Sequence, residues 1–259
     1  MHAQLRLRWS SRCGPAAIIC GGSVNGRGGL TSPTGKLIPV PRMPSYRQLL
    51  AAHSPLLVLD AASSRVQLGW IEAGQLPELP CSARWEISDE ETGVGIFRCI
   101  EQLGIDVGTT GAFVFCDGPG SVLGVRTVAM ALRTWIVLAP RPMFAYHSLA
   151  LVAHALGKDN ATIIADARRD SWHTIKLGGR LRRVPATELT GALVMPEYFR
   201  HWSSLPAGVA RVPYSLAELL PRIADADLFR PTEAPDAFLH EEPNYASWTP
   251  QIHRAPIKG

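Results

Sequence analysis

A glycine-rich loop over residues 116–126 is the segment of this chain that is best suited to chemistry. It has the sequence Cys-Asp-Gly-Pro-Gly-Ser-Val-Leu-Gly-Val-Arg. Gly118 and Gly120 allow positive φ and a close approach of the backbone, and Ser121 is a favourable N-cap for the helical pattern that follows. The free N–H groups and the dipole of such a helix start suit a phosphate or a carboxylate. The loop therefore predicts either a phosphate-binding turn or a structural turn that caps its own helix.

Strands and helices alternate on both sides of this loop and would position it. The apolar run 112–116 has strand length, and helical periodicity extends over 121–138. The same reasoning predicts further strands at 56–60, 66–71, 82–87, 143–146, 161–165, 172–177 and 181–184. It predicts further helices at 46–52, 89–103, 148–156 and 215–224. Ser88 or Asp89 is the expected cap of the helix that ends at 103. This order of elements predicts an α/β fold.

In order and spacing, the loop resembles the Gly-Pro-Gly-Ser-Phe-Thr-Gly-Leu-Arg motif of the TsaB-like (YeaZ-like) family. These are glycoprotease-like proteins of tRNA threonylcarbamoyladenosine biosynthesis. The residues that match the motif are Gly118, Pro119, Gly120, Ser121, Gly124 and Arg126. Other segments follow in the family's order: 57–60 with its turn, Ser148-Leu149 at a helix start, and Asp166-Ala167-Arg168 at a strand end.

Three departures make the chain resemble a divergent member of that family, and one of them is the absence of the His-Ser pair that the family has on its first helix. Val122-Leu123 stands where the motif has Phe-Thr, and Ser171-Trp172-His173 stands where the family has Glu-Val-Tyr. The resemblance implies an actin-like, RNase H-like (ASKHA) fold of two small lobes, each with a mixed sheet and helices. The implied boundaries are 43–140 for the first lobe, 141–210 for a truncated second lobe, 211–240 for a helical segment that packs back on the first lobe, and 241–259 for a tail.

In this fold class, the carboxylate of Asp60 would hold a magnesium ion or a water molecule beside the phosphates of a nucleotide. The simpler interpretation, which we favour, is that Asp60 caps the following turn through Ser63 and Ser64. Catalytic relatives of the family carry two histidines four residues apart on the helix at 89–103, where both imidazoles would bind a metal. Residues 89–103 contain no histidine, so the sequence predicts neither a metal site nor catalytic residues.

The resemblance therefore implies a non-catalytic scaffold that pairs with a TsaD-like subunit, with a TsaE-like ATPase as a further partner. Transfer RNA would be contacted only through that complex. Binding of ATP or ADP with magnesium at or near the partner interface stays open, as does homodimer formation by the isolated chain.

Two helices carry apolar residues on more than one side, which indicates that they are covered from more than one direction. The stripes that would meet a partner are Ile96, Ile100 and Leu103 on one helix and Val125, Ala129 and Leu132 on the other. The alternative is that both helices lie deep inside a single chain. Arg126 gains nothing from the dipole at the start of its helix, so we expect it to pair with an acid of the partner or with Asp117.

Composition agrees with a folded protein. The chain has 259 residues, 46% of them hydrophobic and 19% charged. The net charge of +4 arises from residues 1–59, which hold seven basic residues and no acidic ones. Residues 1–42 are expected to be disordered, or to precede a true start at Met43. Five cysteines form no C-x-x-C pair, and no apolar run has the length of a membrane span. These features predict a cytoplasmic protein with free thiols and no membrane association.

Three other functions require residues that this sequence lacks in whole or in part. An active ATP-binding enzyme of the same fold, kinase-like or glycoprotease-like, needs a phosphate loop in each lobe, and only the 116–126 loop is evident. A dinucleotide site needs a third glycine where Leu123 stands. A serine hydrolase needs a G-x-S-x-G frame, which Ser121 lacks.

Overall fold

Two mixed β-sheets form the frame of residues 43–74 and 82–238, which are the residues that this computed structural model describes. The strands are β1 (Leu56–Asp60), β2 (Val66–Glu72), β3 (Ser82–Ser88), β4 (Ala112–Gly118), β5 (Met143–His147), β6 (Ala161–Asp166), β7 (Ser171–Ile175), β8 (Arg182–Pro185), β9 (Ala192–Pro196), β10 (Ala210–Val212) and β11 (Arg230–Pro231). The helices are α1 (Tyr46–His53), α2 (Thr92–Leu103), α3 (Val122–Leu138), α4 (Ser148–Leu156) and α5 (Leu216–Arg222). The predictions for residues 1–42 and 241–259 lie outside the described residues.

The two sheets repeat one topology. The first has the order β11-β5-β4-β1-β2-β3 and the second the order β10-β9-β6-β7-β8. In each sheet, three consecutive strands form an antiparallel meander: β1-β2-β3 in the first and β6-β7-β8 in the second. A later strand then pairs in parallel with the free edge of the first strand, β4 with β1 and β9 with β6. A five-strand order of 5-4-1-2-3 thus occurs twice. This duplication confirms the predicted actin-like, RNase H-like fold.

The first sheet is covered by helices on both faces. Successive side chains of a strand point to opposite faces, so Leu57 and Leu59 of β1 belong to one apolar cluster and Leu56 and Val58 to another. The first cluster contains the inward residues of α2 and, from α3, Val128 and Leu132. The second contains those of α1, α4 and α5 and extends into the second sheet. The helices α2 and α3 therefore form an outer layer, and the second lobe lies on the opposite side.

Strand β5 belongs to the first sheet, although the boundaries that the family resemblance implies place residues from 141 onward in the second lobe. It pairs in parallel with β4, with Phe113 opposite Met143. The chain then returns to this sheet after the second lobe, since β11 pairs with β5 and α5 packs against α4 and β2. Buried Gln67 fixes this return: its side chain donates to the carbonyl of Tyr214 and accepts from the N–H of Leu216.

The start of α2 differs from the sequence prediction. Its N-cap is Glu91, which makes no side-chain capping hydrogen bond. The hydroxyl of Ser88 accepts from the N–H of Glu90 instead, so the expected cap forms a turn ahead of the helix. Strands β9 and β10 are also additions to the predicted elements. Within the described residues, no helix is long and apolar enough to cross a membrane.

Candidate functional site

A cleft of about 530 Å³ opens between the lobes at the carboxyl ends of β1 and β6. Its first-lobe wall consists of the turn after β1 and the starts of α2 and α3. Its second-lobe wall consists of the turn after β6, a residue of β7 and part of the loop at 197–203. The lining residues are 63–64, 89–92, 120–124, 166–168, 173, 200 and 202. The predicted glycine loop therefore borders the cleft.

The polar groups of the glycine loop are used within the chain. Ser121 caps its own helix, since its hydroxyl accepts from the N–H of Gly124 at 3.3 Å. The N–H of Ser121 donates to the carbonyl of Ala62 at 2.7 Å. Ser148 donates its hydroxyl hydrogen to the carbonyl of Pro119. These contacts tie the loop to the turn after β1 and to α4, as expected of a structural turn.

Two glycines of the motif are required by close packing. A Cβ atom on Gly120 would lie 2.3 Å from the carbonyl oxygen of Ala62, and one on Gly124 would lie 2.3 Å from that of Ala61. Gly120 also has a φ of +155°, which disfavours any other residue. The glycines thus let the first turn of α3 lie directly on the backbone that follows β1.

Asp60 is sealed beneath the cleft. It is fully buried, and one carboxylate oxygen accepts hydrogen bonds from the hydroxyls of Tyr146 and Tyr214, each at 2.7 Å. The other oxygen accepts from the N–H of Ala62 at 2.9 Å. Burial raises the pKa of Asp60, and the hydrogen bonds from Tyr214, Tyr146 and Ala62 oppose this only in part. Asp60 caps the turn through Ala62 and not through Ser63 and Ser64, and both of its carboxylate oxygens already accept hydrogen bonds from within the chain.

Asp166 stands at the matching point of the second lobe. One carboxylate oxygen accepts from the N–H of Arg168, and the other accepts from the N–H groups of Trp202 at 2.6 Å and Ser203 at 2.7 Å. Burial acts to raise the pKa of Asp166, but the hydrogen bonds from Ser203, Arg168 and Trp202 outweigh it and lower the pKa. This carboxylate therefore holds the turn after β6 against the loop at 197–203.

Arg126 does not pair with Asp117. It lies exposed on α3 and makes no ion pair with the part of the chain that the structure describes. Asp117 is buried at the end of β4, where its oxygens contact His147 Nδ1 at 2.7 Å and Arg230 at 2.8 Å. The acid is thus engaged by the strands beside it and by the returning C-terminal segment. Among residues 43–74 and 82–238, no cluster of metal-ligating side chains occurs.

The predicted partner stripes are internal. Five of the six residues are buried within the single chain: Ile96, Leu103, Val125, Ala129 and Leu132. The sixth, Ile100, is partly buried and packs against the same apolar cluster as Ile96. Ile96, Leu103 and Leu132 belong to one cluster with Leu57, Leu59, Phe113 and Phe115 of the first sheet, whereas Val125 belongs to the other cluster. The prediction that these stripes meet a partner is therefore wrong, because the sheet of the same chain already covers them.

The opposite sides of the same helices are exposed and apolar. On α3, large apolar residues recur at intervals of seven, which places them on one side of the helix. On α2, two more are three residues apart. The residues that define this α2–α3 face are Val94, Phe97, Leu123, Met130 and Val137. All of them are more than half exposed, so the described residues leave this face uncovered.

Sequence reasoning did not single out the 197–203 loop, which borders the cleft. Its sequence, Glu-Tyr-Phe-Arg-His-Trp-Ser, places aromatic and basic side chains in alternation. That alternation is a signal for nucleic-acid contact.

Comparisons with known proteins give structural matches only. No family model and no curated protein matches the chain. YeaZ from Pseudomonas aeruginosa matches with 18% identity and a TM-score of 0.45, over 65% of this chain and 89% of that one. A P. aeruginosa protein described as similar to the peptidase YeaZ matches with 18% identity, the same coverage and a TM-score of 0.46. RuvC from Thermus thermophilus matches with 11% identity and a TM-score of 0.29, over 39% and 69%. The first two are proteins of the kind that the motifs of the sequence resemble.

Proposed function

We propose that this chain is a non-catalytic, TsaB-like scaffold. It pairs with a TsaD-like subunit that transfers threonylcarbamoyl to adenosine 37, next to the anticodon of ANN-decoding tRNAs. The observation that carries the proposal is the α2–α3 face, a row of exposed apolar side chains on two neighbouring helices. The motif resemblance supplies the identity of the partner, and the face supplies the place where it binds.

The α2–α3 face has the chemistry of a helix-pairing surface. Met130 and Phe97 are 60% and 61% exposed, and full burial of one such side chain contributes about 1.5–3 kcal/mol. Contiguous exposed apolar surface of this kind marks protein contact sites on soluble proteins. A partner that presents apolar helices would bury this surface while the sheet keeps the inner stripes fixed.

The cleft argues against catalysis by this chain. Asp60, the carboxylate that an enzyme of this fold would use, has both oxygens engaged beneath the surface. The acids Asp89 and Glu90 at the start of α2 are paired with arginines, and Arg168 and Arg200 line the cleft as well. It is therefore the engaged carboxylate of Asp60, and not the charge of the cleft, that speaks against catalysis. Chemistry would therefore come from the partner, and this chain would contribute position and surface.

Size-exclusion chromatography with light scattering tests the proposal. The full chain is mixed with the TsaD-like protein of the same organism, with and without ATP, and a stable one-to-one complex is expected. Met130→Asp should abolish the complex and leave the circular dichroism spectrum unchanged, because the side chain is exposed. Leu205→Asp, which changes an exposed apolar residue of the second lobe, is the matched control and should pair normally. A folded monomer that forms no complex and hydrolyses ATP would overturn the proposal in favour of an active enzyme.

A further inference from the structure

Two exposed aromatic rings lie beside arginines on the 197–203 loop. Tyr198 is 43% and Trp202 60% exposed. The guanidinium of Arg65 stacks over the ring of Tyr198 at 3.7 Å from its centroid, and that of Arg168 over Trp202 at 4.3 Å. Each ring therefore has an arginine against it and keeps much of its surface in solvent. We call Tyr198, Trp202 and the neighbouring Arg200 and Arg211 the aromatic–arginine surface.

The loop that carries this surface is anchored to both lobes. The N–H of Ser64 donates to the carbonyl of Tyr198 at 2.8 Å, which attaches the loop to the first lobe. Asp166 accepts from the N–H groups of Trp202 and Ser203, which attaches it to the second. Between these points Phe199 is buried against Tyr214, with ring centroids 5.0 Å apart. The loop is thus preorganised before any ligand arrives.

Tyr198 has a left-handed backbone conformation, with φ at +64°. This conformation is rare for a bulky residue and costs of the order of one to several times the thermal energy. It lets Phe199 enter the core while Tyr198 and Arg200 on either side of it stay exposed. The unfavourable conformation is therefore used to display side chains, and such use of strain is typical of binding sites.

The charge of the second lobe fits an anionic ligand. Residues 148–212 contain nine basic and five acidic residues, whereas residues 43–147 contain seven basic and ten acidic ones. An open groove of about 760 Å³ runs along the loop, and its lining includes Tyr198, Arg200, His201, Trp202 and Arg211. Glu197 is the one acidic residue that lines it among the described residues. The groove thus combines π faces with positive charge.

We propose that the aromatic–arginine surface binds single-stranded nucleic acid. Unpaired bases would stack on Trp202 and Tyr198, and the phosphates between them would lie beside Arg200 and Arg211. Stacking accepts any base, because every base has a π face, and a basic groove follows the backbone. An open groove with two rings suits a strand better than a single enclosed nucleotide. The inference does not depend on the scaffold proposal, since it concerns the chain alone.

Fluorescence anisotropy of the full chain, without any partner, tests the inference. The probes are fluorescein-labelled 15-nucleotide strands of U RNA and T DNA and a 15-base-pair duplex. Single strands should bind more tightly than the duplex, and a difference between the RNA and DNA strands would identify the natural source. Trp202→Ala should weaken single-strand binding about tenfold, as expected for loss of one stacked base. Ile87→Ala, at another exposed apolar residue, should bind like wild type.

A second pair of variants separates this surface from the arginines at 1–47, which any anionic strand could contact. The double variant Arg200→Gln, Arg211→Gln should lower the slope of log K against log salt by about 0.7 for each lost phosphate contact. The control Arg222→Gln, which changes an exposed arginine on α5, should leave the slope unchanged. The inference is overturned by no binding of the full chain, by equal binding of duplex and single strands, or by Trp202→Ala and the double variant behaving like their controls.

Discussion

Asp60 and Asp166 occupy equivalent positions in the two lobes, each at the end of the strand that begins its sheet, and their surroundings are opposite. Asp60 is fully enclosed, and two tyrosine hydroxyls and one N–H donate to it. Asp166 lies at the cleft and receives three backbone N–H groups from two loops. Burial raises the pKa of the first, whereas hydrogen bonds from Ser203, Arg168 and Trp202 lower the pKa of the second against the effect of its burial.

The comparison shows that equivalent carboxylates of one repeated topology can have two different structural roles. In the first lobe, aromatic side chains from β5 and from the segment before α5 enclose the acid. In the second lobe, the acid is 8% exposed, lines the cleft and organises a surface loop. The first lobe is therefore built around a closed polar centre with an exposed apolar exterior, and the second presents charged and aromatic groups at its rim.

Removal of the buried Asp60 carboxylate, which Tyr146 and Tyr214 enclose, should have the largest effect on stability. Asp60→Ala deletes three hydrogen bonds and leaves two buried tyrosine hydroxyls without their acceptor. Each such group costs about 1–3 kcal/mol, so we expect a loss of about 2–5 kcal/mol in the free energy of unfolding. Urea denaturation followed by circular dichroism measures it. A loss below about 1 kcal/mol would show that Asp60 does not hold the centre together.

The packing over the turn after β1 should be the next most sensitive feature. Gly124→Ala would place a Cβ atom 2.3 Å from the carbonyl oxygen of Ala61, and such overpacking costs about 1–3 kcal/mol. Gly93→Ala on α2 is the matched control, because its nearest contact is the flexible side chain of Glu91 at 3.3 Å. Thermal unfolding should show a lower melting temperature for the first variant only. Equal behaviour of the two variants would contradict the close approach of α3.

Loss of the second carboxylate should be milder and local. Asp166→Ala removes the acceptor for the N–H groups of Arg168, Trp202 and Ser203. Because these groups lie near solvent, water can replace the carboxylate, and we expect a loss of about 1–2 kcal/mol. Hydrogen exchange should rise at Trp202 and Ser203 and stay unchanged in β1. A rise that also includes β1 would remove the distinction between the lobes.

The two carboxylates should give opposite pH dependence, which is the smallest effect. The raised pKa of Asp60 means that its protonated form favours the folded state, so its contribution is present below the ordinary Asp pKa of about 3.9 and is lost as pH rises through the folded pKa. The lowered pKa of Asp166 means that its contribution is present above about 3.9 and is lost as pH falls through the folded pKa.

Melting temperatures measured between about pH 3 and about pH 8 test this contrast, because that interval extends from below to well above the ordinary Asp pKa of about 3.9. Relative to wild type, Asp60→Asn should gain stability as pH rises, because Asn stays neutral and therefore does not lose stability by deprotonation in the buried site. Asp166→Asn should lose stability relative to wild type over the same rise. Parallel curves for the two variants would contradict the assigned surroundings.

Much of the frame could be predicted from the sequence because local patterns and tertiary structure agree there. The apolar runs at 56–60 and 112–116 are buried strands, and Ser121 caps α3 as its position before the helical pattern predicts. The strands β9 and β10 escaped prediction, since the segment beyond residue 185 mixes prolines with short apolar runs. Strand β9 pairs with β6, which lies far away in sequence, and β10 pairs with β9.

The candidate site was harder to predict because periodicity does not say which side of an all-apolar helix meets the sheet. Both sides of α2 and α3 are apolar in sequence. The sheet covers the side with Ile96 and Leu132, and the side with Phe97 and Met130 stays exposed. The partners of Asp60 illustrate the same limit. Tyr146 and Tyr214 are separated from it by 86 and 154 residues, and no local pattern relates them.

Reconstituted threonylcarbamoylation of tRNA tests the scaffold account most directly. The assay combines the chain with TsaD-like and TsaE-like proteins, tRNA and a threonylcarbamoyl donor, and compares wild type, Met130→Asp and Asp60→Asn. The account predicts that modification requires the chain, is lost with Met130→Asp and is retained with Asp60→Asn at a temperature where all three are folded. Full activity of Met130→Asp, or loss of activity with a folded Asp60→Asn, would contradict it.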